Sequence, residues 1–449
     1  MHEYASKAAI FINFPDGGIS VAFRFVHSAD IHLDSPLRSL ALLNPELGKL
    51  IGNATRRAFQ NIVDLCIDEK VDALVLAGDL YDGDQTSMKT AKFFANEMNR
   101  LAQAGAQVFI VRGNHDAETK ISNQLTMPAA VTVFTGRADF VEIRAKGGGL
   151  PVAIHGMSFS SPTVSSSLLP KYKAPVEGAF NIGVLHTSLT GADGHNNYSP
   201  CTLAELQAFG YRYWALGHVH KRAVYNGACT VVMPGNPQGR DINESGPKSA
   251  TLVTIHDDGS VELEERFTSI AEFVRIPVVV EGCGDWGGVV IAMRRAIEKA
   301  RGVARSNHLV GRIMLSGATL AAWDLRAKDL LLKAEADSFA GTAGNTWIES
   351  IDNACTRPTA LATISETGDT LAELMEEIEG GVLSSPAFVM ETEEIATELL
   401  KALPRECHGA LGGSNEAAFK AEIEKLAREG AEEVLARLRV DTGAGTEGY

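Results

Sequence analysis

The sequence predicts an α/β fold between Arg24 and Phe267, and three observations lead there. Apolar, β-rich runs of about four to six residues recur, helical stretches lie between the early ones, and Gly, Asn and Asp punctuate them. Helices covering a sheet follow from that alternation. In chain order the strands are expected at Phe23–His27, Ala73–Ala77, Val108–Val111, Val152–His155, Ile182–Leu185, Tyr213–Leu216, Thr230–Met233 and Ala250–Ile255. The early helices are expected at Thr55–Glu69 and Ser87–Ala104.

A chain of 449 residues is too long for one ordinary domain. Residues 1–23 read as an N-terminal extension. They carry His2, Glu3 and Asp16 but no basic n-region, so no signal peptide is expected. Residues 24–268 form the first domain. Residues 269–357 read as a compact α+β unit, with a strand at Phe273–Val280, a helix from Gly287 to Arg301 and a strand at Arg312–Ser316. Residues 358–449 begin as an acidic, Ser/Thr/Gly-rich linker and continue as helices at Thr392–Ala402 and Asn415–Arg439. The second of these spaces Phe419, Ile423, Leu426, Val434, Leu435 and Leu438 as one apolar stripe, which needs a surface to cover it. The tail Thr442–Tyr449 is expected to be disordered.

The formal net charge of −15 argues against a protein that only coats nucleic acid, because such proteins are usually basic. It leaves room for a nuclease: acidic metal ligands add negative charge that bound cations cancel. Cys66, Cys201, Cys229, Cys283, Cys355 and Cys407 are scattered, with no CxxC pair. That pattern points to reduced thiols in a cytoplasmic protein and away from a disulfide framework or structural zinc. No apolar stretch approaches the roughly 20 residues of a membrane-spanning helix, so no membrane partner is expected.

Five short motifs carry the chemistry, each at the end of an expected strand. They are Asp30-Ile31-His32, Gly78-Asp79-Leu80-Tyr81-Asp82, Gly113-Asn114-His115-Asp116, His186 and Gly217-His218-Val219-His220. In extended backbone, side chains two apart share a side. Asp30 and His32 can therefore grip one ion, and His218 and His220 repeat the pattern. A preceding glycine lets the backbone turn sharply toward the ion. Carboxylate, imidazole and amide oxygen together suit Mn²⁺, Fe²⁺ or Zn²⁺. One carboxylate can bridge two ions about 3.5–4 Å apart, the clamp for in-line phosphoryl chemistry.

Each motif alone has a plainer meaning. Asp-x-His is usually a loop, Gly-Asp-x-x-Asp a turn, Asn-His-Asp a helix cap, and a lone histidine a hydrogen-bonded core residue. Five together, in this order and all at strand ends, do not arise readily by chance.

That order resembles the calcineurin-like metallophosphoesterases over Arg24–Phe267. Within them, His27-Ser28-Ala29-Asp30-Ile31-His32-Leu33, the Gly78–Asp82 motif, His155-Gly156-Met157-Ser158-Phe159 and Pro234-Gly235-Asn236 resemble the SbcD-like double-strand-break-repair exonucleases, above all the YhaO-type branch. Arg312-Ile313-Met314-Leu315-Ser316-Gly317 adds a weaker likeness. The resemblance implies a four-layer β-sandwich flanked by helices, a small α+β capping domain that binds DNA, and a helical C-terminal segment. It implies a two-metal DNA exonuclease or endonuclease that hydrolyses phosphodiester bonds in repair, with Mn²⁺ the first choice of metal. Asp30, His32 and His220 would hold one ion, Asp79 would bridge, and Asn114, His186 and His218 would hold the other. His115 would act on the scissile phosphate as general acid or charge stabiliser, held by Asp116. Asp82 stands where related nucleases usually carry a DNA-contacting histidine, so it is a candidate substrate contact, with Arg294 and Arg295 on the capping-domain helix. The implied partners are DNA and an SMC-like coiled-coil ATPase bound through the C-terminal helices, and a homodimer is compatible. A small phosphoester, nucleotide or phosphoprotein substrate is the alternative. A scaffold with a vestigial site fits less well, since every expected ligand is present.

Overall fold

The computed structural model describes residues 22–35, 47–48, 52–82, 87–118, 127–189, 198–358, 374, 377–403 and 415–443. The expected N-terminal extension apart from its last two residues, most of the linker after Pro358 and residues 444–449 lie outside them. The chain divides into two compact units, Met1–Glu272 and Phe273–Tyr449.

The first unit is built on alternation. In β1 (Phe23–Ser28) Phe23 and Phe25 enter one core and Val26 the opposite one. In β2 (Ala73–Ala77) Ala73, Val75 and Ala77 face the first core and Leu74 and Leu76 the second. In β3 (Gln107–Val111) Phe109 and Val111 oppose Val108 and Ile110 in the same way. A period of two with both faces apolar makes these central strands of a sheet buried on both sides. β4 (Val131–Val133), β11 (Ser249–Ile255) and β12 (Val261–Phe267) complete six strands in the order β12-β11-β1-β2-β3-β4, with β1, β2, β3 and β4 mutually parallel.

A second six-stranded sheet contains β5 (Asp139–Ala145), β6 (Gly148–Gly156), β7 (Phe180–His186), β8 (Tyr213–Gly217), β9 (Ala223–Tyr225) and β10 (Thr230–Met233), in the order β5-β6-β7-β8-β10-β9. Its inward residues Ile154, Ile182, Val184, Tyr213 and Ala215 meet Phe25, Val75 and Phe109 in the core between the sheets. On the outer face of the first sheet, α1 (Ala54–Asp68) and α2 (Met88–Gln103) bury Phe59, Ile62, Val63, Phe94 and Met98. Outside the second sheet, Leu206 of α3 (Leu203–Ala208) and loop residues Leu168, Leu169 and Tyr172 cover Trp214 and Leu216. The result is a four-layer sandwich of mixed α/β type.

The second unit has a three-stranded sheet in the order β13-β14-β15, with β13 at Ala271–Val279, β14 at His308–Ala318 and β15 at Thr346–Thr356. Val289, Met293 and Ile297 of α4 (Trp286–Val303) pack on it, as do Leu332, Ala336 and Ala340 of α6 (Asp329–Ala343). Between these elements lies α5 (Ala322–Ala327), followed at the C-terminal end by α7 (Pro386–Ala402) and α8 (Glu416–Gly443). The expected stripe on α8 is split: Ile423 and Leu435 are buried, Leu435 together with Ala436 against Trp323 of α5, whereas Leu426, Val434 and Leu438 stay exposed. Arg326 and Glu432 close that packing with an ion pair at 2.5 Å. Among the described residues all cysteines are free thiols, and no helix is long and apolar enough to cross a membrane.

Candidate metal centre

Every motif lies at or just past the C-terminal end of a strand, and those strands run parallel within each sheet: β1, β2 and β3 in one, β7 and β8 in the other. The loop after β1 is laced to the loop after β2 by Asp30 N–H to Gly78 O (2.9 Å), His32 N–H to Asp79 O (3.1 Å) and Leu33 N–H to Leu80 O (2.9 Å). The loop after β8 joins through His218 N–H, which donates to the Asp30 carboxylate at 2.9 Å. Asp30, His32, Asp79 and His218 all adopt left-handed backbone, with φ of 52°, 45°, 52° and 104°. They make up half of the non-glycine residues with that conformation among the described residues, so backbone strain concentrates where the candidate donors converge. Asp-x-His is therefore not an extended segment, as its spacing suggests. Asp30 and His32 converge because two left-handed kinks turn both side chains inward, and His218 and His220 diverge to different clusters.

One cluster contains Asp30, His32 and His220; another contains Asp79, His186 and His218; within each, one ligand atom per residue lies within 4.8 Å of the others. Asn114 joins the second, with Oδ1 3.1 Å from His186 Nε2. Asp79 Oδ2 stands between the two, 3.4 Å from His186 Nε2 and 4.0 Å from His32 Nε2. All seven expected donors thus come together, with Asp30, His32, Asp79 and His186 almost fully buried.

The donor set fits divalent cations, on the protonation its contacts enforce. His186 Nδ1 lies 2.9 Å from the Ala77 carbonyl, which can only accept, so Nδ1 carries the proton. Nε2 then offers a lone pair toward Asn114 Oδ1 and Asp79 Oδ2, two further acceptors. His220 Nδ1 is 2.7 Å from Glu244 Oε1, so its Nε2 also offers a lone pair, 3.2 Å from His32 Nε2. Lone pairs converging in a buried site call for positive charge. Burial opposes a proton on His186, yet the carboxylates of Asp79 and Asp30 lift its pKa to about 9. A metal ion answers the same demand with a ligand set of mixed N and O donors.

At the rim stands His115, with 41% of its side chain exposed. The carboxylate beside its ring belongs to Asp82, whose Oδ1 is 3.4 Å from His115 Nδ1 and 3.6 Å from His32 Nδ1. Ser35 Oγ donates to the other Asp82 oxygen at 2.9 Å. The His32 ring, ahead of the Ser35 hydroxyl and despite burial, holds Asp82 well below the usual carboxylate range. Asp116 does not orient His115 as expected. Its oxygens accept from the backbone amides of Leu80 (2.9 Å), Tyr81 (3.0 Å) and Gly113 (3.1 Å), tying the second motif to the third. Burial and the Asp79 charge push Asp116 up to about 6 against those amides. The role that the resemblance implied for Asp116 does not match this geometry: the turn after Gly113 aims Asp116 into the loop base.

Arg294 and Arg295 belong to the other compact unit, exposed on α4. Arg294 pairs with Glu298 one turn away at 2.9 Å and lies over the Phe339 ring. Sequence reasoning missed Glu244, the acceptor for His220. Its only signal was the nearby Pro234-Gly235-Asn236.

Residues 23–222 match the family model described as calcineurin-like phosphoesterase, and residues 273–356 match that of the metallophosphoesterase YhaO middle domain. The stretch 223–272 belongs to neither. The metallophosphoesterase YhaO of Bacillus subtilis is 33% identical over 241 residues, which is 54% of this chain and 59% of the relative. The DNA double-strand break repair protein Mre11 of Methanopyrus kandleri is 22% identical over 211 residues, 44% of each chain. A component of the SbcCD nuclease of Bacillus subtilis is 22% identical over 265 residues, 51% of this chain and 66% of the relative. The chain thus matches between 44% and 66% of these relatives' own length.

Proposed function

Because this chain carries a calcineurin-like phosphoesterase domain, we propose that it is a two-metal phosphodiesterase that cuts DNA during repair. The observation that carries the reading is Asp79, one buried carboxylate between two clusters of nitrogen and oxygen donors. Asp30, His32 and His220 would hold one ion, Asn114, His186 and His218 the other, and Asp79 would serve both. Such ions, most suitably Mn²⁺ for this donor set, supply Lewis acidity toward a phosphoryl oxygen and lower the pKa of water.

The chain's own residues do the rest. The Asp82 carboxylate, 3.4 Å from His115 Nδ1, would orient that ring at the rim. His115 Nε2 is the nitrogen assigned to give its proton to the leaving-group oxygen, work suited to an imidazole near neutral pH. Asp116 keeps the second and third motifs in register.

DNA as substrate is supported by the relatives whose names specify double-strand break repair and the SbcCD nuclease. On this reading residues 269–357 are the capping domain, with Arg294 and Arg295 on its phosphate-facing helix. The reading also includes an SMC-like coiled-coil ATPase as partner. Its docking surface would be the apolar residues that α7 and α8 leave exposed: Met390, Ile395, Leu399, Leu426, Val434 and Leu438. The work is set in the cytoplasm, and a homodimer is compatible with it.

The test is a digestion time course on end-labelled single- and double-stranded DNA, with Mn²⁺ and then Mg²⁺, beside a chromogenic small phosphodiester. Cleavage of DNA with Mn²⁺ and little with Mg²⁺ is the expected result. Hydrolysis of the small ester alone would refute the nuclease reading, and equal rates in both metals would refute the metal assignment.

A further inference from the structure

The stretch Gly235–Lys248 lies between the two matched regions, yet it closes around His220. Gly235, with φ of 75°, brings its backbone so close that a Cβ there would sit 2.9 Å from the His220 carbonyl oxygen. Lys248, almost fully buried, donates from Nζ to that same oxygen at 3.2 Å. Glu244 Oε1 meets His220 Nδ1 at 2.7 Å. The Glu244 carboxylate is itself fully engaged. Arg240 donates to it from Nη2 (2.7 Å) and from its own backbone amide (2.8 Å), and the buried Asn236 donates from Nδ2 (2.8 Å). Arg240 Nη2 also lies 3.2 Å from His220 Nδ1. Both are donors once Nδ1–H points to Glu244, so the carboxylate is what holds them side by side.

We infer that Glu244, locked by Arg240 and Asn236, is a positioning residue that fixes the His220 tautomer and ring so that Nε2 serves as a metal ligand. This deepens the proposed two-metal reading and rests on it. A carboxylate that accepts from the far nitrogen of a ligating imidazole sets the tautomer, orients the ring and raises its basicity. Here the device has a further use. His220 is the partly exposed member of its cluster, with 21% of its side chain accessible, while Asp30 and His32 are packed in the core. Packing alone does not fix the His220 ring, and the Gly235–Lys248 segment supplies that constraint.

The test uses the full chain, stripped with EDTA and titrated with Mn²⁺ by calorimetry, with Co²⁺ absorption as a report on coordination. Wild type, Glu244→Gln and Glu244→Ala are compared, each first melted in EDTA. Wild type is expected to take two ions. Glu244→Ala should bind one ion normally and the other about 10- to 100-fold more weakly, the usual effect of losing such a partner. Glu244→Gln, which keeps the shape and an acceptor but not the charge, should lie between the two and show an altered cobalt spectrum. Unchanged affinity for both ions in both variants would overturn the inference. If Glu244→Ala does not fold, Glu244→Gln decides by the same criterion. If wild type itself takes up no metal, the two-metal reading falls first, and that failure is visible without any variant.

Discussion

Replacing Gly113 by alanine tests the site through one methyl group. Gly113 is not in the left-handed region, so alanine can adopt its backbone and any effect is steric. A Cβ there would lie 2.2 Å from Asp79 Oδ1 and 2.8 Å from His186 Cε1 and Nε2. Ordinary contact begins near 3.4 Å, so the Asp79 carboxylate must retreat by roughly 1 Å. It has no easy retreat. Oδ1 accepts from the His115 amide at 3.1 Å, the residue is 2% exposed, and the Ala77 carbonyl pins the His186 ring. Overpacking of this kind costs about 1–3 kcal/mol, and a misplacement of about 1 Å near the chemistry can cost about 100-fold in rate. Gly113→Ala should therefore lower the melting temperature modestly in EDTA, lose much of the stabilisation that Mn²⁺ gives wild type, and cleave substrate about 100-fold more slowly. Gly302→Ala is the control for the added methyl group, since a Cβ there meets nothing within 4 Å; it should bind Mn²⁺ and turn over as wild type. Two ions bound at wild-type affinity by Gly113→Ala, with wild-type turnover, would refute the placement of Asp79 between the clusters.

Three further outcomes follow from the same geometry. His115→Ala should keep both ions by elemental analysis while turnover falls about 100-fold or more, Asp82→Asn should share part of that defect, and His218→Ala should lose an ion; an emptied metal site in His115→Ala would contradict the role given to it. His27, fully buried between the Tyr213 hydroxyl (3.0 Å) and the Leu216 carbonyl (3.1 Å), has its pKa driven down to about 3 by burial; below about pH 6.5 the unfolded chain binds a proton that the folded chain refuses, so stability is lost as pH falls through the window from about 6.5 to about 3. Between pH 7 and pH 5 that contribution is about 2 kcal/mol, and denaturant titrations should show His27→Gln losing correspondingly less stability over that interval, an equal loss in both proteins being the refuting result. In the C-terminal helices, Val434→Asp and Leu426→Asp should abolish co-purification with the ATPase without shifting the melting temperature, whereas Leu435→Asp, set against Trp323, should lower it; retained co-purification in the first two would dismiss docking through that face.

How much of the molecule is legible in its sequence depends on what kind of interaction each element uses. β1, β2, β3, β7 and β8 are apolar on both faces, and their length and composition announce them. β12, Val261-Glu262-Leu263-Glu264-Glu265-Arg266-Phe267, does not read as a strand, because it is an edge strand whose polar face meets water and whose pairing with β11 is long-range. β15 and α6 escape notice for a related reason: Thr346–Thr356 alternates polar residues throughout, and α6 buries small alanines, so neither shows a strong apolar rhythm. At the site, the candidate donors are legible because metal chemistry restricts the residue types and parallel strands deliver them at one end. The left-handed kinks at Asp30 and His32 are not, since they are imposed by hydrogen bonds to Gly78 and Asp79, some 47 residues away or more. The same distinction separates Asp116 from Asp82. Only Asp116 is a candidate partner for His115 from its motif, with Asp82 read as a substrate contact, and only the packing of three loops decides that Asp116 braces backbone amides while Asp82 faces two imidazoles. Glu244 lies 24 residues beyond the histidine it serves, inside a segment with no metal-ligand spacing of its own. A residue that acts by accepting one hydrogen bond from a ligand's far nitrogen leaves no pattern in sequence, so the supports of this site become visible only once the chain is folded around them.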